Sequence, residues 1–280
     1  MTLWVGVMLL LTDAGALDYA PCRYGASRAM FRGPARDLSG DYVAMLGGTQ
    51  TFGKYVASPY PVLVEQAIGK GVANLAGLGA GPDFYLDDAA TLRVAAEARL
   101  AVVQIPGAEA MTNPFYTVHG RRNDRILTPT PTLRALYPEV EFTETLFARH
   151  LLTVLSEADP DRFLTVVAGL KKNWVSTMRQ LLVHLPLRRV LLWLADAMPP
   201  KQATGLAGSG PLLVDEDMIV AVLQPGTRLV TALPSAAARA LGVKDMLFPE
   251  TEAIQAHCLP GAAVHAEIAA KLSPAIAELL

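Results

Sequence analysis

Four basic side chains lie close together in a stretch of the chain with no clear helical or strand period. They are His119, Arg121, Arg122 and Arg125. Guanidinium groups bind phosphate, sulfate and carboxylate through paired hydrogen bonds, so the cluster is a candidate anion site. The surrounding stretch, residues 110–142, is long for a connection within a compact domain. Connections of that length are typical of lids and binding loops.

The same cluster also fits a solvated surface run with local ion pairs. Acidic residues that could supply those pairs are nearby in the sequence, namely Asp124, Glu139, Glu141 and Glu144. Exposed ion pairs of this kind contribute little to stability and need no ligand. The sequence leaves both interpretations open.

Three apolar runs predict the strands that must position this stretch, and each run ends at a glycine-rich or small polar turn. The runs are residues 41–46, 71–76 and 100–105, and stretches of helical length separate them. This alternation is typical of βαβ units in a parallel sheet. Ligands bind such sheets at the carboxyl ends of the strands, so we expect the three turns to meet at one site.

Two later runs, residues 189–195 and 227–233, predict a fourth and a fifth strand, and helical spacing predicts crossover helices over 60–68 and 83–100. We predict an α/β fold with three layers, in which helices flank a doubly wound, mostly parallel five-stranded sheet. The expected strand order is the flavodoxin-like 2-1-3-4-5.

The length of 280 residues suits one large domain. Residues 1–40 are expected to form an irregular N-terminal segment, since glycines and prolines interrupt it. Residues 41–280 are expected to form the single domain, with a loop or helical insertion at about 110–145.

Composition and motifs limit the kinds of molecule that we expect this protein to bind. A formal net charge of −2 gives no basic footprint for nucleic acid, and no apolar run is long enough for a transmembrane helix. The five histidines lack the spacing of metal ligands, and no dinucleotide or phosphate-loop motif is present, so we expect no metal and no cofactor. The expected partner is a small molecule or a glycan, and the oligomeric state stays open.

The first residues permit two localisations. An apolar run at residues 3–11 and the small residues Ala14-Gly-Ala16 resemble a secretory signal. No lysine or arginine precedes the run, and Asp13 lies just before the cleavage position. We therefore expect a cytoplasmic protein, with export as the alternative if residues 1–16 are a cleaved signal.

The turns and the last helix together resemble the SGNH or GDSL-type hydrolases over about residues 41–110 and 255–275. The segments that carry the resemblance are Gly47-Gly-Thr49, Asn74-Leu-Ala-Gly-Leu-Gly-Ala-Gly81, Pro106-Gly-Ala-Glu109 and the stretch from Pro260 to Leu272. The segments LDYAPCRYGASR…FRGP and FYTVHGRRNDR also resemble a functionally uncharacterised bacterial family of this fold.

The resemblance implies a role for each turn. Such hydrolases place a serine nucleophile after the first strand, and Thr49 occupies that place here. Backbone donors of an oxyanion hole would be Gly48 and Gly79. The third turn, where the family has Gly-x-Asn, holds Gly107 and Glu109.

This sequence departs from the family's pattern at the catalytic positions. A carboxylate at Glu109 would repel an oxyanion unless it were protonated. Leu259 falls where the catalytic histidine would be, which leaves His257 as the candidate base. Ile254 stands three residues before His257, where an aspartate would orient the base.

Two functions follow. One is an SGNH-like hydrolase, or an acyl or sulfuryl transferase, acting on a small or carbohydrate-linked substrate that is anionic or acylated. There Thr49 is the nucleophile or a polar anchor, His257 is the base, and the four basic residues of the insertion hold the anion. The alternative is a catalytically degenerate protein of the same fold that binds an anionic ligand.

Overall fold

Seven strands form the sheets of the protein in a computed structural model that describes residues 17–208 and 210–280. In chain order they are β1 (Tyr42–Leu46), β2 (Gly71–Asn74), β3 (Leu100–Gln104), β4 (Tyr116–His119), β5 (Arg122–Pro129), β6 (Arg189–Leu194) and β7 (Thr227–Ala232). The residues 1–16, on which the prediction of localisation depends, lie outside the described part.

The helices are α1 (Thr49–Phe52), α2 (Tyr60–Ile68), α3 (Pro82–Leu86), α4 (Ala89–Glu97), α5 (Pro131–Leu136), α6 (Ala148–Ala158), α7 (Pro160–Val183), α8 (Glu216–Val222), α9 (Ala236–Ala240), α10 (Ala253–His257) and α11 (Ala262–Ala277). A 3₁₀ turn at Glu250–Glu252 precedes α10. None of the helices in the described ranges combines the length and the apolar character that a membrane crossing requires.

The central sheet has the order β2-β1-β3-β6-β7, and all its pairs are parallel. This confirms the predicted α/β fold class and its 2-1-3-4-5 order. Every residue of β1 and of β6 is buried, which explains why these strands read as unbroken apolar runs.

Helices cover both faces of the sheet. On one face α2 and α11 pack on the side chains of Val43 and Met45, and on the other Ala44 and Leu46 join the core that contains α7 and α8. Successive side chains of a strand point to opposite faces, so each central strand serves two cores. The result is the predicted three-layer arrangement.

The single crossover helix expected over residues 83–100 is in fact two helices, α3 and α4. The break comes at Asp87 and Asp88, and the Asp88 carboxylate accepts the N–H groups of Ala90 and Thr91 at the start of α4. An aspartate at this position starts a new helix because it satisfies N–H groups that have no partner within the helix.

The stretch expected to lack regular structure contains the β4–β5 hairpin and α5. Gly120 and Arg121 form its two-residue turn, because His119 pairs with Arg122 across the strands. Most side chains of β5 are not buried, so the alternation that normally identifies a strand is weak there.

The N-terminal segment braces the turn that follows α1. Arg32 is buried and its guanidinium donates to the carbonyls of Phe52, Gly53, Val56 and Ala57. A buried cation is tolerated when it is hydrogen-bonded, and here both terminal nitrogens, Nη1 and Nη2, donate to carbonyls of one loop.

Replacement of Arg32 by alanine should therefore be strongly destabilising. The Arg32→Ala variant removes the hydrogen-bond partner of the buried carbonyls of Phe52 and Val56, and we expect a loss of about 3 kcal/mol in the free energy of unfolding. Urea denaturation measures it. The matched control is Arg28→Ala at an exposed position, expected within about 0.5 kcal/mol of the parent. Equal losses in both variants would contradict the bracing role.

Candidate functional site

A cavity of about 280 Å³ lies at the carboxyl edge of the sheet, where the turns after β1, β2 and β3 meet. Five residues predicted for the site line it, namely Gly48, Thr49, Gly79, Gly107 and Glu109. Their convergence follows from the topology, because β1 lies between β2 and β3 in a parallel sheet.

The side chain of Gln104 fixes the turn after β1. Its Oε1 accepts the Gly48 N–H at 3.3 Å and the Thr51 hydroxyl at 2.5 Å, and its Nε2 donates to Gln50 Oε1. The Tyr60 hydroxyl donates to Thr51 Oγ1 at 2.7 Å. The Gly48 N–H, expected as an oxyanion donor, therefore already has a partner within the protein.

Thr49 and Gly79 are in direct contact. The Gly79 N–H donates to Thr49 Oγ1 at 2.9 Å, and Gly79 has a φ of +63°, a conformation that favours glycine. The predicted nucleophile and the predicted second oxyanion donor thus bond to each other. Within residues 17–208 and 210–280, neither an imidazole nor a carboxylate hydrogen-bonds the Thr49 hydroxyl.

Glu109 contributes a carboxyl group with a perturbed pKa to the cavity. Its carboxyl lies over Gly107, where a Cβ would come within 2.0 Å of Glu109 Oε2. That oxygen is buried and has no hydrogen-bond partner in the described part of the chain. Burial raises the pKa of Glu109 to about 7, although its own backbone N–H and the charge of Arg149 act to lower the pKa.

The candidate base lies outside this cavity. His257 is exposed and lines a second cavity but not the first, whereas Leu259 lines both. An apolar side chain therefore lines the first cavity at the position where the resemblance to the hydrolases predicts an imidazole. His265 serves the fold instead: it is buried, and its Nδ1 accepts the Tyr60 N–H at 3.1 Å.

The four basic residues of the insertion do not gather around the cavity. Arg122 forms two hydrogen bonds with the carboxylate of Asp124, at 3.0 and 2.7 Å. Arg125 lies over the ring of Phe147, 5.2 Å from its centroid. His119 and Arg121 are exposed at the hairpin turn. Arg122 is thus engaged by Asp124, which lines the cavity, whereas Arg125 packs on an aromatic ring and the other two lie at the turn.

Sequence reasoning missed three polar residues of the site, Asp124, Gln50 and Gln104, which all line the cavity. Asp124 was considered only as a partner for arginines, and it is that as well. The polar group at the end of β3 could have been found, since Gln104 is the one polar residue of an otherwise apolar strand.

The raised pKa of Glu109 predicts a pH-dependent stability. From about pH 4.5 to pH 7 the native carboxyl holds a proton that the unfolded chain releases, so the free energy of unfolding falls as pH rises. The loss should reach about 3 kcal/mol relative to Glu109→Gln, which does not titrate. Urea denaturation across this range measures both proteins.

The matched control is Glu157→Gln, at an exposed position of α6. Its stability should follow that of the parent protein at every pH. Parallel curves for the parent and Glu109→Gln would show that the Glu109 carboxyl titrates as an ordinary exposed one.

The chain is similar to one solved structure and matches one family model. A carbohydrate esterase family 2 enzyme with a carbohydrate-binding domain, from Corynascus thermopiles (Myceliophthora fergusii), is 15% identical. The match covers 88% of this chain and 68% of that one, with a TM-score of 0.41. No curated protein matches the chain. A family model matches residues 8–280, and the chain therefore belongs to the family described as Domain of unknown function (DUF6473).

Proposed function

We propose that this protein binds a small, hydroxyl-bearing ligand of the carbohydrate type at the carboxyl edge of its sheet, without hydrolysing it through Thr49 and His257. One observation carries the proposal: the Thr49 hydroxyl accepts the Gly79 N–H, and Leu259 rather than a histidine lines the cavity beside it. A hydroxyl nucleophile needs a general base within hydrogen-bond reach.

The class of ligand follows from the polar side chains that line the cavity. Carboxyl groups come from Glu109 and Asp124, and Gln50 adds an amide. These groups accept hydrogen bonds, and the buried Glu109 Oε2 has none from the described residues. A ligand rich in hydroxyl groups satisfies such acceptors, and small-ligand sites characteristically combine an apolar wall with a few polar groups of this kind.

A second candidate is an enzyme, a hydrolase or an acyl or sulfuryl transferase, that uses Glu109 as its general acid or base. The specific observation in its favour is the pKa of Glu109, which burial raises to about 7. A carboxyl with that pKa in a cavity can both hold and release a proton near neutral pH. In this case Thr49 would anchor the substrate.

Ester hydrolysis separates the two candidates. With p-nitrophenyl acetate we expect the parent protein, Thr49→Ala and Glu109→Gln to show the same rate, equal to the background. A rate that falls about tenfold or more in Thr49→Ala but is unchanged in Glu109→Gln would indicate a threonine hydrolase and contradict the proposal. A comparable fall in Glu109→Gln, with or without one in Thr49→Ala, would favour the second candidate.

Ligand binding is tested by isothermal titration calorimetry with a panel of neutral and N-acetylated monosaccharides. We expect at least one sugar to bind the parent protein and Glu157→Ala alike, and to bind Glu109→Ala about tenfold more weakly, because one charge-assisted hydrogen bond is lost. If no sugar binds, or if Glu109→Ala binds as well as the control, the carbohydrate class is wrong.

A further inference from the structure

A second cavity, of about 610 Å³, adjoins the first at the same edge of the sheet. It lies beyond the ends of β6 and β7, beside the start of α11. Gln50, Leu194 and Leu259 line both cavities, so a few side chains form the boundary between them. A ligand that fills the first cavity thus has the second within reach.

The second cavity is lined by basic side chains from three separate helices. They are Arg149 of α6, Arg239 of α9 and His257 of α10. All three are exposed, and one acidic side chain, Asp196, lies among them. Arg239 Nη1 is 3.4 Å from Asp196 Oδ1, so the carboxylate offsets part of this charge but not all of it.

Arg149 is held in place through one nitrogen of its guanidinium group. Its Nη2 donates to the carbonyls of Leu206 and Gly208, at 3.1 and 3.2 Å. Neither Nη1 nor Nε has a hydrogen-bond partner in the described ranges. A guanidinium fixed by one nitrogen loses little further entropy when the others bind an oxyanion.

Arg149 also acts on the first cavity, since its charge lowers the pKa of Glu109 there. The start of α11 adds a favourable field. Gly261 is the N-cap of this 16-residue helix, and no side chain caps it. The N–H groups of a first helical turn favour negative charge.

We propose that the second cavity is an anion subsite, in which Arg149, Arg239 and His257 bind a phosphate, sulfate or carboxylate group of the ligand whose uncharged part lies against Glu109. The inference deepens the proposed function and rests on it for the identity of the ligand. The sequence suggested an anion site within residues 119–125. The proposal instead assigns the anion site to residues that are far apart in the sequence.

The test uses inorganic sulfate and phosphate as probes, titrated into the full chain by calorimetry at low ionic strength. We expect the parent protein to bind at least one of them. Arg149→Gln should weaken binding about tenfold, because hydrogen bonds to a charged group are lost, while Arg239→Gln should weaken it less because Asp196 already engages that side chain. The control Arg93→Gln, at an exposed position of α4, should bind like the parent.

Two outcomes would overturn the subsite: no oxyanion binds the parent, or Arg149→Gln and Arg93→Gln bind equally. Because Arg149 also contacts two carbonyls, His257→Ala is a second variant at an exposed position, expected to weaken binding about threefold. If oxyanion binding depends on Arg149 and no sugar binds, the anion subsite is supported and the carbohydrate ligand of the proposed function is wrong. A phosphorylated sugar that binds more tightly than inorganic phosphate would identify the anion as part of the ligand.

Discussion

The carboxamide of Gln104 holds the turn after β1 against the end of β3, and the rest of the cavity is arranged around that attachment. It accepts the Gly48 N–H and the Thr51 hydroxyl and donates to Gln50. With the turn held in this way, Thr49 lies where it meets Gly79. A partly buried amide needs hydrogen-bond partners, and the bonds that Gln104 makes favour one conformation of the turn.

The same attachment limits the chemistry of the turn. In a hydrolase of the SGNH type, backbone N–H groups must be free to meet a developing negative charge. Here the Gly48 N–H and the Gly79 N–H already have partners inside the protein, Gln104 and Thr49. The two N–H groups that the sequence predicts as oxyanion donors are therefore used to stabilise the turns themselves.

The sheet and the convergence of its turns could be predicted from sequence because both depend on local patterns. Buried parallel strands read as apolar runs, and glycine-rich turns interrupt them, so 71–76 and 100–105 were recognisable. The meeting of Thr49, Gly79 and Glu109 then followed from strand order alone. The hairpin was not recognisable, since β5 buries few side chains and its polar residues resemble a loop.

The polar environment of the site could not be predicted in the same way. Arg149 and Arg239 come from helices nearly a hundred residues apart, and no spacing relates them. Proximity in sequence suggested a cluster at residues 119–125, yet Arg122 is engaged by the carboxylate of Asp124. Arg125 is held by a tertiary contact with the ring of Phe147, which no spacing in the sequence indicates.

The attachment of the hairpin to the sheet also bears on how a ligand exchanges with solvent. The buried amide of Asn123 accepts the N–H groups of Gly81 and Phe84, and the Asp124 N–H donates to the Gly79 carbonyl. Lifting the hairpin would break all three bonds, so it is a fixed wall and a poor gate. The boundary with the second cavity is formed by side chains, Gln50, Leu194 and Leu259, whose rotation requires no displacement of the hairpin. A ligand that left the first cavity across this boundary would pass through the second, so the occupant of the second cavity would affect the residence time in the first.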